Sequence, residues 1–211
     1  MFAMSSSQRS PKSPVRSLDV AERAKATRES IIAAARRLFV EKGYFATGTE
    51  EIVQAAGVGT RGALYHHFTD KRDVFLAVYD QVNEEVNVAS RVNAQGDALS
   101  RLTAGLIGLF DASLNPEVQQ IMLIDGPAVL GLEARSYHTR QRGLGVMRAM
   151  LTQCVAEGTL VPMKIEAMTH LLHAACHEAT RYVATSENPI KAREEAISSM
   201  KMLLNGLAPA Q

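Results

Sequence analysis

The sequence predicts an all-α fold of nine to ten helices, with a small N-terminal head followed by a larger helical bundle. Three observations predict it. Of 211 residues, 46% are hydrophobic but only 5% are aromatic, with no Trp. Ala, Leu, Met, Glu, Arg and Gln are plentiful, and the Val-, Ile-, Thr- and Tyr-rich runs that a sheet needs are absent. Apolar residues also recur at three- and four-residue spacing, with Gly, Pro, Asn and Asp between the segments where helices start and stop.

Residues 1–18 (MFAMSSSQRSPKSPVRSL) have little to bury, so a disordered basic tail is expected. Asp19 with Glu22 offers a cap for a helix from Val20, and Thr27 offers a second start. Ile31, Ile32, Ala35, Leu38 and Phe39 then recur up to Gly43, a C-terminal stop. Tyr44 to Thr47 connect, and Gly48 or Thr49 caps a short helix over Glu50–Ala56, where Glu50 and Glu51 suit the positive end of the macrodipole. Gly57-Val58-Gly59-Thr60 separates it from a second short helix, Arg61–His67. The gap is too short for a third element, so the pair reads as a helix-turn-helix, its second helix sized for a DNA major groove. Ile52, Val53, Ala56, Leu64 and Phe68 are the apolar positions that fix the pair. Thr60, Arg61, Gly62, Ala63, Tyr65 and His66 are left outward, a small, cationic and hydrogen-bonding face suited to a phosphate-lined groove.

Asp70 caps a longer helix with a seam of Val74, Phe75, Val78, Val82, Val86 and Ala89. Asp97 opens Ala98–Ser113, and Asn115-Pro116 opens Glu117–Ile124, with Pro well placed at the first helical position. Asp125-Gly126-Pro127 is expected to break the chain. A long helix from about Leu132 to Glu157 follows, ended by Gly158. Another runs from Ile165 to Ser186, and Asn188-Pro189 starts the last, which ends near Gly206. The domains expected are the tail (1–18), a helix-turn-helix domain (19–72) and a bundle (73–211).

The net charge is only +1, but it is divided unevenly. Residues 1–72 carry 12 Lys and Arg against 7 acids, and the remainder carries 11 against 15. A basic head on an acidic body suits a DNA-docking module attached to something else. Apolar runs fall far short of the ~20 residues that span a bilayer, and no secretory apolar core follows the basic residues near Met1. Cys154 and Cys176 make no disulfide framework, so a reduced cytoplasmic setting is expected.

The segments ESIIAAARRLFVEKGYFATGTEEIVQAAGV (29–58) and ALYHHFTDKRDVFLAVY (63–79) resemble the tetracycline-repressor (TetR) family of bacterial regulators. The ordered Leu-Phe…Gly-Tyr, Ile…Ala-Gly-Val and Leu-Tyr-His-His-Phe…Lys elements are more specific than a generic helix-turn-helix. The resemblance implies a homodimer with two DNA-reading heads and ligand-binding bodies, usually a repressor released by a small molecule. It places Thr49 at a phosphate-contacting position and Arg61, Gly62 and Ala63 where base edges are read. Tyr65 matches a tyrosine whose hydroxyl bonds a phosphate, His66 falls at a groove-facing position, and Lys71 matches a phosphate anchor. Thr60 joins the phosphate contacts, and the planar fork of Arg61 suits guanine O6 and N7. There are two departures from the family pattern: Gly59 adds a residue to the turn, and Glu50 stands where some members place a cation.

For the body, the resemblance implies that the last two helices pair with their twins as a four-helix bundle. Leu171, Leu172, Ala175, Ala179, Ile197, Met200, Leu203 and Leu204 are candidates for that seam, or for burial within one subunit. A small-molecule pocket is expected between the helices, lined by Phe110, Met122, Met147, Met150, Leu151, His173 and His177. His170, His173 and His177 share a helix at metal-ligand spacing. No second cluster stands elsewhere in the sequence apart from Tyr137-His138, so neither metal nor cofactor is expected.

No Gly-rich phosphate loop, Gly-x-Ser-x-Gly, His-Glu-x-x-His or paired-Cys motif occurs, so no enzyme is expected. Two function classes remain. The first is a DNA-binding transcriptional regulator, a repressor released from a palindromic operator by a small-molecule effector. The alternative is a helical ligand-binding or interaction protein whose head has lost DNA binding.

Overall fold

A computed structural model describes residues 14–91, 95–137 and 139–209. The chain is all-α, and no strand occurs among the described residues. In order the elements are α1 (Pro14–Lys42), α2 (Thr49–Ala56), α3 (Arg61–His67), α4 (Lys71–Arg91), α5 (Ala98–Ala112), α6 (Pro116–Val118), a π-helical turn (Gln119–Asp125), α7 (Gly126–Tyr137), α8 (Thr139–Ala156), α9 (Ile165–Thr185) and α10 (Pro189–Asn205).

Helix α1 begins well before the expected starts at Val20 or Thr27 and takes in residues 14–18 of the expected tail. Pro14 opens it, and a proline's fixed φ suits the first helical turn. The remainder of that tail lies outside the described residues. Gly43 ends α1, donating its N–H to the Phe39 carbonyl at 2.9 Å. The buried Thr47 hydroxyl closes the connector onto the Gly43 carbonyl at 2.9 Å.

The head core is Ile31, Ala35, Phe39, Ile52, Leu64, Phe68, Val74, Phe75 and Val78, each almost wholly buried. Because α4 supplies three of these, it is as much part of the head as of the body. The same core continues into Val118, Ile121 and Leu130, so α6, the π-helical turn and α7 rest directly on the head. A second core gathers α5, α8, α9 and α10 around Leu102, Phe110, Leu151, Cys154, Leu172, Cys176 and Leu204.

The expected caps of α4, α5 and α10 are present. Asp70 accepts from the Asp73 N–H at 2.7 Å while Asp73 accepts from the Thr69 N–H at 3.0 Å, a reciprocal box at the start of α4. Asp97 accepts from Ser100 and Asn188 from Lys191.

The expected helix over 117–124 and the break after it are both corrected. Past α6 the chain widens into π geometry, and it stays helical through Gly126 (φ −52). A Cβ at Gly126 would stand 2.9 Å from the Tyr79 ring and 3.1 Å from the Ile121 carbonyl, so glycine is there for close approach. The break falls instead at Gly131 (φ 68, ψ 172). The residues of the helix expected from about Leu132 to Glu157 are helical over 132–137 and 139–156, and His138 lies outside the described residues.

Candidate DNA-reading head and body cavity

In the head, α2 and α3 stand on α1 through Ile52, Val53, Leu64 and Phe68. Gly57 closes α2 in the left-handed region, its N–H reaching the Gln54 and Val53 carbonyls. Gly59 (φ +80) turns the chain again and leaves Thr60 extended as the N-cap of α3. The extra residue of the turn is thus accommodated by a conformation that glycine adopts at little cost, and α3 still begins at Arg61.

This geometry leaves Thr60, Arg61, Gly62, Tyr65 and His66 exposed and Thr49 and Ala63 half-buried, all on the two short helices or the turn between them. Arg61 is engaged: its Nη1 donates to Glu50 Oε1 at 2.7 Å across the turn. Glu51 pairs with Lys42, which holds its carboxyl below the usual carboxylate range. His67 is set back beside His66, and burial, His66 and Arg28 together push its imidazole down.

Lys71, which the resemblance matches to a phosphate anchor, turns its ammonium onto the connector. Its ammonium lies 4.1 Å from the centre of the Tyr44 ring and donates to the Tyr44 and Thr47 carbonyls at 3.0 and 2.9 Å. Burial lowers its pKa, with Asp125 opposing. A sequence pattern carries no sign of this, because the connector's carbonyls become acceptors only once Tyr44 has packed against Phe39 and Phe75.

Head and body are tied at three points. Arg36 of α1 binds Glu117 of α6 at 2.6 and 2.8 Å and Glu85 of α4 at 2.7 Å through both pairs of atoms. The two carboxylates raise the Arg36 pKa, and Arg36 in turn lowers that of Glu85. The buried Asp125, last residue of the π-helical turn, accepts from the Tyr44 N–H at 2.9 Å and from Gln120 at 3.1 Å. Arg72 donates to the Val129 and Leu130 carbonyls of α7. None of these head-to-body pairs was singled out in the sequence, since each is separated by dozens of residues.

The body holds a cavity of about 450 Å³ between α4, α5, α8, α9 and the π-helical turn. Met122, Met147, Met150, His173 and His177 line it as expected, while Phe110 and Leu151 do not. Those two are fully buried in the body core, where packing with their neighbours leaves no surface to the cavity. Tyr79, Asn83, Asn87 and Arg101 line it without having been foreseen. The expected histidine stripe divides: His173 and His177 meet edge to face with ring centres 4.5 Å apart, whereas His170 lies at the surface 3.3 Å from Glu166. Among the described residues no group of His, Cys, Asp and Glu is arranged to hold a metal.

With this geometry in view, comparison with known proteins is informative. A model of bacterial regulatory proteins of the tetR family matches residues 31–78, and a tetracyclin repressor-like C-terminal domain matches residues 99–207. The second match alone covers more than half of the chain. The chain belongs to the TetR family. The HTH-type transcriptional regulator AcrR of Shigella flexneri is 34% identical over 105 residues, 48% of each chain, so the similarity spans about half its length. The transposon Tn10 TetC protein of Escherichia coli is 29% identical over 170 residues, 74% of this chain and 82% of that one. A TetR-family transcriptional regulator from Pectobacterium atrosepticum, known from its crystal structure, matches with a TM-score of 0.75 at 26% identity, over 90% of this chain and 97% of its own.

Helices α9 and α10 carry exposed large apolar residues among their charged ones. Leu171, Tyr182, Ile190, Met202 and Leu203 are large hydrophobic residues left exposed there. Of the eight seam candidates, Leu171 and Leu203 are exposed and Ala175, Ala179 and Ile197 are half-buried. Leu172, Met200 and Leu204 are buried in the subunit's own core, so they have no surface to offer a partner. Helical spacing alone does not separate the inner face of such a helix from its outer one. No helix among the described residues is long and apolar enough to cross a membrane.

Proposed function

We propose that this protein is a cytoplasmic, homodimeric transcriptional regulator, a repressor that leaves a near-palindromic operator when a small molecule fills the cavity of its body. The observation that carries the reading is the exposed face of α3, with Arg61, Tyr65 and His66 presented from a seven-residue helix that the head core braces. Residues 19–72 form the DNA-reading domain and 73–211 the sensing and pairing domain, with α4 shared between them.

Thr49, Thr60 and Tyr65 bond phosphate oxygens and set the approach, with Lys71 supporting them from the α4 N-terminus. Arg61 reads a base edge, with Gly62 and Ala63 allowing the backbone close to the groove and His66 beside them. The exposed apolar residues of α9 and α10, Leu171, Tyr182, Ile190, Met202 and Leu203, anchor the pairing surface. Filling the cavity moves α4 through Tyr79 and moves the π-helical turn through Met122. Both elements hold the head, through Arg36–Glu85 on one side and Asp125–Tyr44 on the other.

Gel-shift titration against genomic fragments, including the DNA upstream of the protein's own gene, tests this. A shifted fragment whose affinity falls steeply between low and moderate salt is expected, since phosphate contacts release counterions. No shift at low salt would favour the alternative, a helical ligand-binding protein without DNA affinity.

A further inference from the structure

The walls of the cavity restrict what it takes, an inference that rests on the regulator reading above. Among the described lining residues there is no Asp or Glu. The one formally charged lining group, the Arg101 guanidinium, already donates to the Gly96 carbonyl and, at 3.3 Å, to Glu157. Glu157 is itself fixed by the Ala98 N–H at 2.7 Å and by Gln153 at 3.0 Å. A ligand carboxylate at Arg101 would therefore meet a cation that is already answered, with an anion beside it. A ligand ammonium would meet no anion in the described wall. At Arg101, and at the Asp- and Glu-free described wall, either charge would lose hydration without such a partner to replace it.

Two neutral carboxamides, in contrast, face the cavity. Asn83 and Asn87 lie one turn apart on α4 and face the cavity, and among the described residues neither carboxamide hydrogen-bonds to another protein group. Each offers two N–H donors and a carbonyl acceptor. The His173 and His177 imidazoles stand on the α9 side. The remaining wall is aliphatic or thioether, chiefly Leu102, Leu106, Leu109, Met147 and Met150, a surface that fits flexible apolar bodies.

We propose that the cavity binds an uncharged, largely aliphatic molecule whose hydroxyl or carbonyl group is held by Asn83 and Asn87. Three probes with one body and three head groups test this: 1-decanol, decanoate and decylammonium. Each is titrated calorimetrically, below its micellar range, into the full-length protein without DNA. Saturable binding of decanol at least about tenfold tighter than either charged probe is expected. In the Asn83→Ala, Asn87→Ala double variant the decanol affinity falls by about tenfold, while a thermal melt shows the fold retained. Decanoate or decylammonium binding as tightly as decanol overturns the proposal. So does an unchanged decanol affinity in the double variant, or no binding by any of the three. Because DNA is absent, a protein that takes decanol yet never shifts an operator would refute the regulator reading and leave this one standing.

Discussion

Arg61 is already held when the head meets DNA. Its partner Glu50 lies on the preceding helix, and both side chains are more than half exposed. An exposed pair of this kind is worth little, roughly 0.2–1 kcal/mol, so a guanine edge can displace it. Arg61→Ala should relax preference at one base position by about 1–3 kcal/mol, measured on duplexes substituted one pair at a time. Glu50→Gln should alter preference at that same position while sparing the others, because it frees the guanidinium to turn. An unchanged profile in both variants would remove Arg61 from base reading. The residue pattern left Arg61 and Glu50 exposed, as they are, but their pairing was not legible, since it depends on the angle between two helices. Cys176 is a second residue-scale case. Burial pushes its thiol up to about 12. Iodoacetamide at pH 8 should leave Cys176 unmodified in the folded protein and alkylate it on unfolding, as read by mass spectrometry. Labelling of the folded chain would show that the cavity wall opens to reagent.

At the level of elements, the caps of α4, α5 and α10 and the helix-turn-helix were readable because they depend on neighbours in sequence. Asp70, Asp97 and Asn188 each accept from a backbone N–H three residues on. The segment after α5 was not readable. Asp125-Gly126-Pro127 has the composition of a break, yet Gly126 stays helical because the Tyr79 ring of α4 packs where its side chain would be. π-helical turns recur at functional sites, and this one connects a cavity residue, Met122, to a residue that holds the head, Asp125. Gly126→Ala should cost about 1–3 kcal/mol of stability through overpacking against Tyr79 and the Ile121 carbonyl. A chemical-denaturation midpoint that does not move would mean the turn yields freely. In that case it would be a poor transmitter of ligand binding.

Across the whole molecule, head and body share one apolar core and are tied by Arg36 to Glu85 and Glu117. That tie also sets a pH dependence. The Glu85 carboxyl is lowered chiefly by its hydrogen bonds to Arg36. Its stabilisation is therefore complete above the ordinary glutamate value, about 4.3, and is lost as pH falls through the lower folded value. Arg36→Met should destabilise the protein by roughly 1–3 kcal/mol near neutral pH. Its melting temperature should also fall less steeply than that of the parent as pH drops below about 4. Parallel acid profiles would show that other carboxylates dominate. The two-part architecture was legible from the charge division and from the family motif near the head. The tie between the parts was not, because it joins residues 49 and 81 positions apart.

In the proposed function two heads read DNA as a pair. DNase I footprinting of the full-length protein, on a duplex selected from random sequence, measures this most directly. Two protected half-sites related by a twofold axis are predicted, their centres about 34–36 Å apart or a multiple of that spacing. Protection of a single unpaired half-site, or none at all, by protein that sediments as a dimer would contradict it.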